Sequence, residues 1–217
     1  MDWNLYINFS VAMLAIVNPL GLIPLWSGLT SDMNRPSRRK LAQWIIFTSL
    51  LILMIFLILG DHILTLFSID LPVFQVAGGI LLLSTGLSMV NGKIFQIESQ
   101  RQNTKDPYQL VKTRFRDILV PLAIPMLSGP GSLTTVVLYG HRISVTHDYF
   151  VISGILTVIM VILLLVFYFS EKIEKAIDPI IFNILTRLFG ILVVAISIQF
   201  MVEGLGGVFP NWLENIE

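Results

Sequence analysis

Apolar residues run in six long blocks along this chain, at 6–29, 41–59, 71–90, 118–138, 149–169 and 180–205, and polar residues collect between them. A hydrocarbon core about 30 Å thick takes roughly 20 residues of helix, or about 10 of a tilted barrel strand. The longer blocks seen here select helices. The pattern therefore predicts an all-α polytopic membrane protein with six transmembrane helices. The first block makes a poor secretory signal, because residues 1–5 carry no Lys or Arg and Pro19 and Pro24 interrupt it; it is expected to stay in the mature protein.

Two of the blocks are punctuated by helix breakers at matching places. The first contains Asn18-Pro19-Leu20-Gly21, and the fourth contains Ser128-Gly129-Pro130-Gly131. Proline lacks an N–H, and its ring crowds the carbonyl four residues back. A break at membrane depth frees backbone groups that lipid cannot satisfy, so it persists only against protein or a polar cavity. Paired breaks of this kind mark the binding site of transporters. In the first block the Leu14 or Leu20 carbonyl is expected to be free for a partner, and Asn18 adds a donor and an acceptor. In the fourth block Pro121, Pro125, Ser128, Gly129, Pro130, Gly131, Ser132, Thr134 and Thr135 crowd fifteen residues, which argues against a continuous helix. Exposed N–H groups where the helix resumes suit a carboxylate. The plainer alternatives are a packed proline kink at the first break and serines bonded to their own backbone at the second.

Shifting the chain on itself by 111 residues places Pro19 on Pro130, Gly79 on Gly190 and residues 80–82 on 191–193. Three spans per half is an odd number, so a duplicated second half crosses the bilayer in the opposite sense. The expected organisation is a first three-helix repeat at 1–91, a cytoplasmic linker at 92–117, a second, inverted repeat at 118–207 and an outer tail at 208–217, with helices 1 and 4 broken.

Composition agrees: 55% of residues are hydrophobic, 13% are charged and mean hydropathy is +0.81. The net charge is zero, which gives no reason to expect nucleic acid or anionic partners. The distribution of charge is informative. Arg35, Arg38, Arg39 and Lys40 in the first loop, six Lys/Arg between Lys93 and Arg116, and Lys172 and Lys175 in the fifth loop oppose Arg142 alone on the other side. By the positive-inside rule those loops are cytoplasmic and both termini face outward. Trp3, Tyr6, Trp26, Trp44, Tyr149, Tyr168 and Trp212 lie near span ends, where amphipathic rings favour the headgroup zone.

Secondary candidates are Gln75 near the outer end of the third span, Arg187 two turns into the sixth, and Gln199 twelve residues on. Arg187 is close enough to the cytoplasmic end to snorkel. Glu203 is expected to be solvated. Ser84 and Ser88 have the small-xxx-small spacing of a close helix contact. With no carboxylate near mid-membrane, coupling through a buried Asp or Glu is disfavoured; sodium held by broken-helix carbonyls, exchange and facilitated passage stay open. No enzyme is expected, since His62, His141 and His147 fall in outer loops, away from any intramembrane serine. No metal or cofactor is expected, since cysteine is absent and no acidic cluster has ligand spacing.

The runs NPLGLIP, FQVAGGILLL, PLAIPMLSGPGS and RLFGILVVAISIQF in the first, third, fourth and sixth spans resemble the MarC family of bacterial and archaeal inner-membrane proteins. The likeness extends from about Asn8 to Gly207. It implies six helices in inverted three-helix repeats, a bacterial plasma-membrane location and, by analogy with some relatives, transport of small neutral amino acids such as glycine and alanine. The expected function is thus transport, or export, of a small neutral solute, one half rocking against the other, with a channel-like pore or a non-transporting regulatory subunit as alternatives. The expected partners are that small-molecule solute and the lipid bilayer, with homo-oligomerisation open. The binding residues would be Asn18, Pro19, Gly21, Ser128, Gly129, Pro130, Gly131 and Ser132.

Overall fold

A computed structural model of the protein describes residues 3–31, 33–92, 127–143 and 146–210, and among them all regular structure is helical. The helices are α1 (Trp3–Val17), α2 (Ile23–Leu29), α3 (Arg35–Leu66), α4 (Leu71–Val90), α5 (Pro130–His141), α6 (Thr146–Ala176) and α7 (Pro179–Val208). Four of them, α3, α4, α6 and α7, are long and apolar enough to cross a membrane, and α1 is a shorter apolar helix. Pro121, Pro125, the linker from 93 onward and the tail beyond 210 lie outside the described residues.

Proline marks where helices begin. It occupies the first turn of α2, α3, α4, α5 and α7, where its missing N–H costs nothing and its fixed φ suits the helix. Pro24 accordingly opens α2 and is no part of the break before it. Asn34 caps α3 by accepting the Ser37 N–H at 3.0 Å, and Asp178 caps α7 by accepting the Ile180 N–H at 2.8 Å.

These caps correct the expected loops. Arg35, Arg38, Arg39 and Lys40 form the first turns of α3, and Lys172 and Lys175 lie in the last turns of α6. Lys and Arg are good helix formers, so the helices continue past their apolar runs until a cap stops them. His62, His141 and His147 likewise sit in the end turns of α3, α5 and α6 rather than in loops.

The helices stack in three layers. One apolar core joins α1 and α5 to α2, α3 and α6, through Phe9, Met13, Trp26, Leu41, Leu53, Val136, Ile152 and Phe167. A second joins the other faces of α1 and α5 to α4 and α7, through Ala15, Ile16, Leu82, Leu138, Val193 and Phe200. The short helices α1 and α5 are therefore the middle layer, covered on both sides. Outward faces of the long helices show Phe47, Leu51, Ile58, Ile80, Val158, Ile184 and Ile191, as lipid contact requires.

The outer pair, α4 and α7, is antiparallel and almost touches backbone to backbone. A methyl added at Gly79 would lie 2.9 Å from the Ser197 carbonyl, at Gly86 2.9 Å from the Val194 nitrogen, at Gly190 3.0 Å from the Val90 nitrogen, and at Gly204 2.7 Å from the Pro72 carbonyl. Lipid tails are as apolar as leucine, so helices in a bilayer associate by close packing, which small residues permit. Glycine does this here. Ser84 is exposed, and Ser88 donates to the Ser84 carbonyl at 2.8 Å; the serine spacing serves its own helix.

At one end of the bundle, Arg38 ties three helices together. Its guanidinium donates to Glu171 at 3.2 Å, Ser27 at 3.0 Å and Ser170 at 2.7 Å. It also lies over the Trp26 ring, which stacks on Phe167 at 4.4 Å. This clamp fixes the seven-residue α2, too short to be stable alone.

Two predictions follow from these contacts, both read by thermal unfolding of purified protein in one detergent. Gly86→Val should cost about 2 kcal/mol by forcing α7 away, whereas Gly154→Ala on α6, whose methyl meets nothing within 4 Å, should be neutral or stabilise by up to about 1 kcal/mol; equal shifts would show that the glycine seam does not hold the pair. Arg38→Met should destabilise by about 2 kcal/mol by removing the bonds to Glu171, Ser27 and Ser170 that join the three helices, and Arg38→Lys should restore less than half, since an ammonium cannot span all three partners.

Candidate functional site

The first break lies between α1 and α2, over residues 18–22. Asn18 ends α1 in the left-handed region at φ 41°, which asparagine tolerates better than most residues. Its side-chain oxygen accepts the Gly21 N–H at 3.2 Å, closing the turn. A methyl at Gly21 would fall 2.1 Å from the Asn18 amide nitrogen and 2.8 Å from the Thr186 hydroxyl, so only glycine fits between those groups. Asn18, Gly21 and Leu22 are buried, although Pro19 and Leu20 interrupt the helix.

The expectation about free carbonyls is corrected here. Leu14 accepts the Asn18 N–H at 2.9 Å, and Leu20 accepts the Ile23 N–H at 3.1 Å. The helix closes one more turn before Pro19, so the carbonyl that loses its helical donor is that of Ala15, four residues before the proline.

The second break is at Ser128 and Gly129. Gly129 is extended, with φ −72° and ψ 176°, and Pro130 opens α5. The Leu133 N–H reaches the Gly129 carbonyl at 2.8 Å. Pro130 has no N–H, so the N–H groups of Gly131 and Ser132 are the donors of this helix start that lack an intrahelical acceptor, and among the described residues no side chain caps them. Around them are hydroxyls. Ser132 is 1% exposed and Ser49, on α3, is fully buried, and neither hydroxyl has a partner among the described residues. Ser128 makes a long bond, donating to the Ser49 carbonyl at 3.4 Å. Thr135 instead donates to the Gly131 carbonyl one turn back. Buried polar groups are nearly always paired, because each one left unmade costs about 1–3 kcal/mol. A small anionic group placed at this helix start would satisfy two N–H groups and adjacent hydroxyls together.

The two breaks come to the same depth. α1 and α5 pack antiparallel, Phe9 against Tyr139 at 5.2 Å between ring centres, and Gly131 against Ile16 and Leu82. Gly78 on α4 gives room for Thr134, whose hydroxyl would lie 2.1 Å from an added methyl. The site residues divide between two faces of the middle layer: Asn18 and Gly21 turn toward α7, while Ser128 turns toward α3.

The secondary candidates separate. Arg187 is exposed, with its guanidinium near Gly92 at the end of α4, which fits the snorkelling position. Gln75 and Gln199 meet at the opposite end of the molecule, each donating to Glu203 at 2.9 Å, and Arg142 donates to the same carboxylate at 2.8 Å. Glu203 is exposed, as expected, and is also a three-donor hub. Sequence reasoning missed Ser49 and Thr186, which reach the breaks from α3 and α7. Ser49 follows Thr48 and Thr186 precedes Arg187, and no local pattern singles out either hydroxyl.

The family model described as MarC family integral membrane protein matches residues 3–209. The chain is 32% identical over 217 residues to the UPF0056 membrane protein YhcE of Escherichia coli (strain K12), covering 98% of this chain and 97% of that one. It is 30% identical over 212 residues to the UPF0056 membrane protein BU267 of Buchnera aphidicola, again covering 98% and 97%. A UPF0056 membrane protein of Pyrococcus abyssi is 30% identical over 199 residues, covering 92% of this chain and 93% of the relative. No solved structure matches. With its multi-pass helical architecture and a match over nearly its whole length, this chain belongs to the MarC family of integral membrane proteins.

Proposed function

We propose that this protein is a transporter of a small neutral solute, best fitted by a small amino acid. The observation that carries the proposal is the pair of buried hydroxyls, Ser132 and Ser49, that have no partner among the described residues, together with the N–H groups of Gly131 and Ser132, which have no intrahelical acceptor where α5 begins. A carboxylate bound there completes them, and its charge is favoured by the helix dipole. Asn18 and Thr186, on the α7 side of the same depth, supply acceptors for an ammonium group or a coupling ion such as sodium.

We read the architecture as six spans in two inverted repeats, with span one made of α1 and α2 and span four ending in α5. The antiparallel pair α4/α7 supports this, since the 111-residue shift carries α4 onto residues 182–201 of α7, and the same shift carries α2 onto residues 134–140 of α5. Arg35, Arg38, Arg39, Lys40, Lys172 and Lys175 at the Arg38 end, with Arg142 at the other, support a cytoplasmic position for the first and an outer position for both termini. The packing points to a moving unit different from a sequence half. α4 and α7, one helix from each repeat, adhere to each other through glycine and meet the rest across a separate, smaller core. Alternating access then consists of this pair rocking against α1, α2, α3, α5 and α6, opening the breaks to one side at a time.

Uptake of labelled alanine, glycine and serine by liposomes holding the purified protein tests this. Saturable uptake with counterflow is expected, and Ser132→Ala, Ser49→Ala and Asn18→Gly should each lower it about 10-fold to 100-fold, the equivalent of one lost hydrogen bond to a charged group. Asn18→Gly keeps the left-handed backbone available, so loss there reports the side chain. No uptake of any of the three, or uptake indifferent to all three substitutions, would overturn the proposal, and linear, non-saturating passage would make the protein a pore.

A further inference from the structure

A cavity of about 330 Å³ opens at the Arg142 end, between the middle layer and α7. This is within the size range of small-molecule sites. Its walls carry charge of both signs: Arg142, just past the end of α5, and Glu203, on α7. Ala12, Ile196 and Phe200 add an apolar wall, and Asn8 a carboxamide.

Arg142 and Glu203 already face each other at 2.8 Å, but both side chains are about 40% exposed, and ion pairs in such surroundings are weak. They are also built to survive separation. Glu203 is held by Gln75 and Gln199 independently of Arg142, while Arg142 rests over the Tyr139 ring at 5.5 Å and uses one of its five N–H donors on Glu203. A ligand carrying one anionic and one cationic group can replace the pair without leaving either charge unmatched, whereas a simple anion or cation cannot. Ala12 lies six residues before Asn18, roughly 9 Å along the helix, so the cavity is on the way to the first break.

We propose that this cavity is a second binding site, for a small zwitterion with a short apolar side chain: its carboxylate pairs with Arg142, its ammonium with Glu203, and its side chain lies against Ala12, Ile196 and Phe200. The proposal deepens the transport reading, resting on it for the identity of the solute, and adds an outer station to the buried one.

The chain has no cysteine, so an Ile196→Cys variant carries a single reporter in the cavity wall. L-Alanine should slow its labelling by a maleimide at concentrations where propionate and ethylamine, which carry one charge each, do not. Arg142→Gln and Glu203→Gln should each raise the half-protecting alanine concentration at least 10-fold, and Arg142→Lys should recover part of that loss, which separates lost charge from lost fold. Equal protection by all three compounds, protection by none, or protection unchanged in both Gln variants would overturn the site. Alanine uptake measured on the same protein separates the two ideas: protection without uptake keeps the site and removes the transport reading, and uptake without protection does the reverse.

Discussion

Backbone N–H and carbonyl groups that have lost their helical partners cannot face hydrocarbon, and the arrangement of this protein answers that constraint. A helix interrupted at membrane depth leaves several such groups, each expensive to bury unpaired. Of the two interrupted segments, α1 and α5 occupy the middle of three layers, with α2, α3 and α6 on one side and α4 and α7 on the other. At the first break the protein repairs most of the damage locally, through the left-handed Asn18 and its bond to Gly21. At the second, the hydroxyls of Ser49 and Ser132 have no partner among the described residues. The contrast between a closed break and an unfilled one makes the start of α5 the centre of the proposed chemistry.

Covering a middle layer on both sides requires outer helices that hold together without a hydrophobic driving force. α4 and α7 do so with glycine, which lets their backbones approach along the whole contact. The two ends of the molecule are held differently. At one, Arg38 is buried against four side chains and fixes α2. At the other, the half-exposed Arg142 and Glu203 pair bridges the middle layer and the outer pair. The firm contact thus lies within the α2, α3 and α6 layer, and the weak one joins the middle layer to the outer pair.

What the residues by themselves determined is what depends on short spacing along the chain. Membrane-length apolar runs are visible because the bilayer sets their length, and the breaks at residues 18–21 and 128–131 because proline and glycine act on the backbone wherever they stand. The small residues of the third and sixth spans were visible too, but their roles were not. Serine spacing suggested one contact face, and only packing showed that Gly79 and Gly86 form it. Helix ends were misplaced for a related reason: Arg35 to Lys40 look like a loop by charge, whereas Asn34 three residues before Ser37 is what starts the helix.

The tertiary structure alone decided which distant groups share a site. Ser49 and Thr186 stand 79 and 168 residues from Ser128 and Asn18 respectively, and nothing in their surroundings along the chain announces them. Gln75, Arg142, Gln199 and Glu203 likewise converge only because α4 and α7 run antiparallel with the end of α5 beside them. Local propensity and apolar length act within a few turns, and so can be read from order in the chain. Side-chain convergence is set by how helices cross, a property of the whole packed assembly.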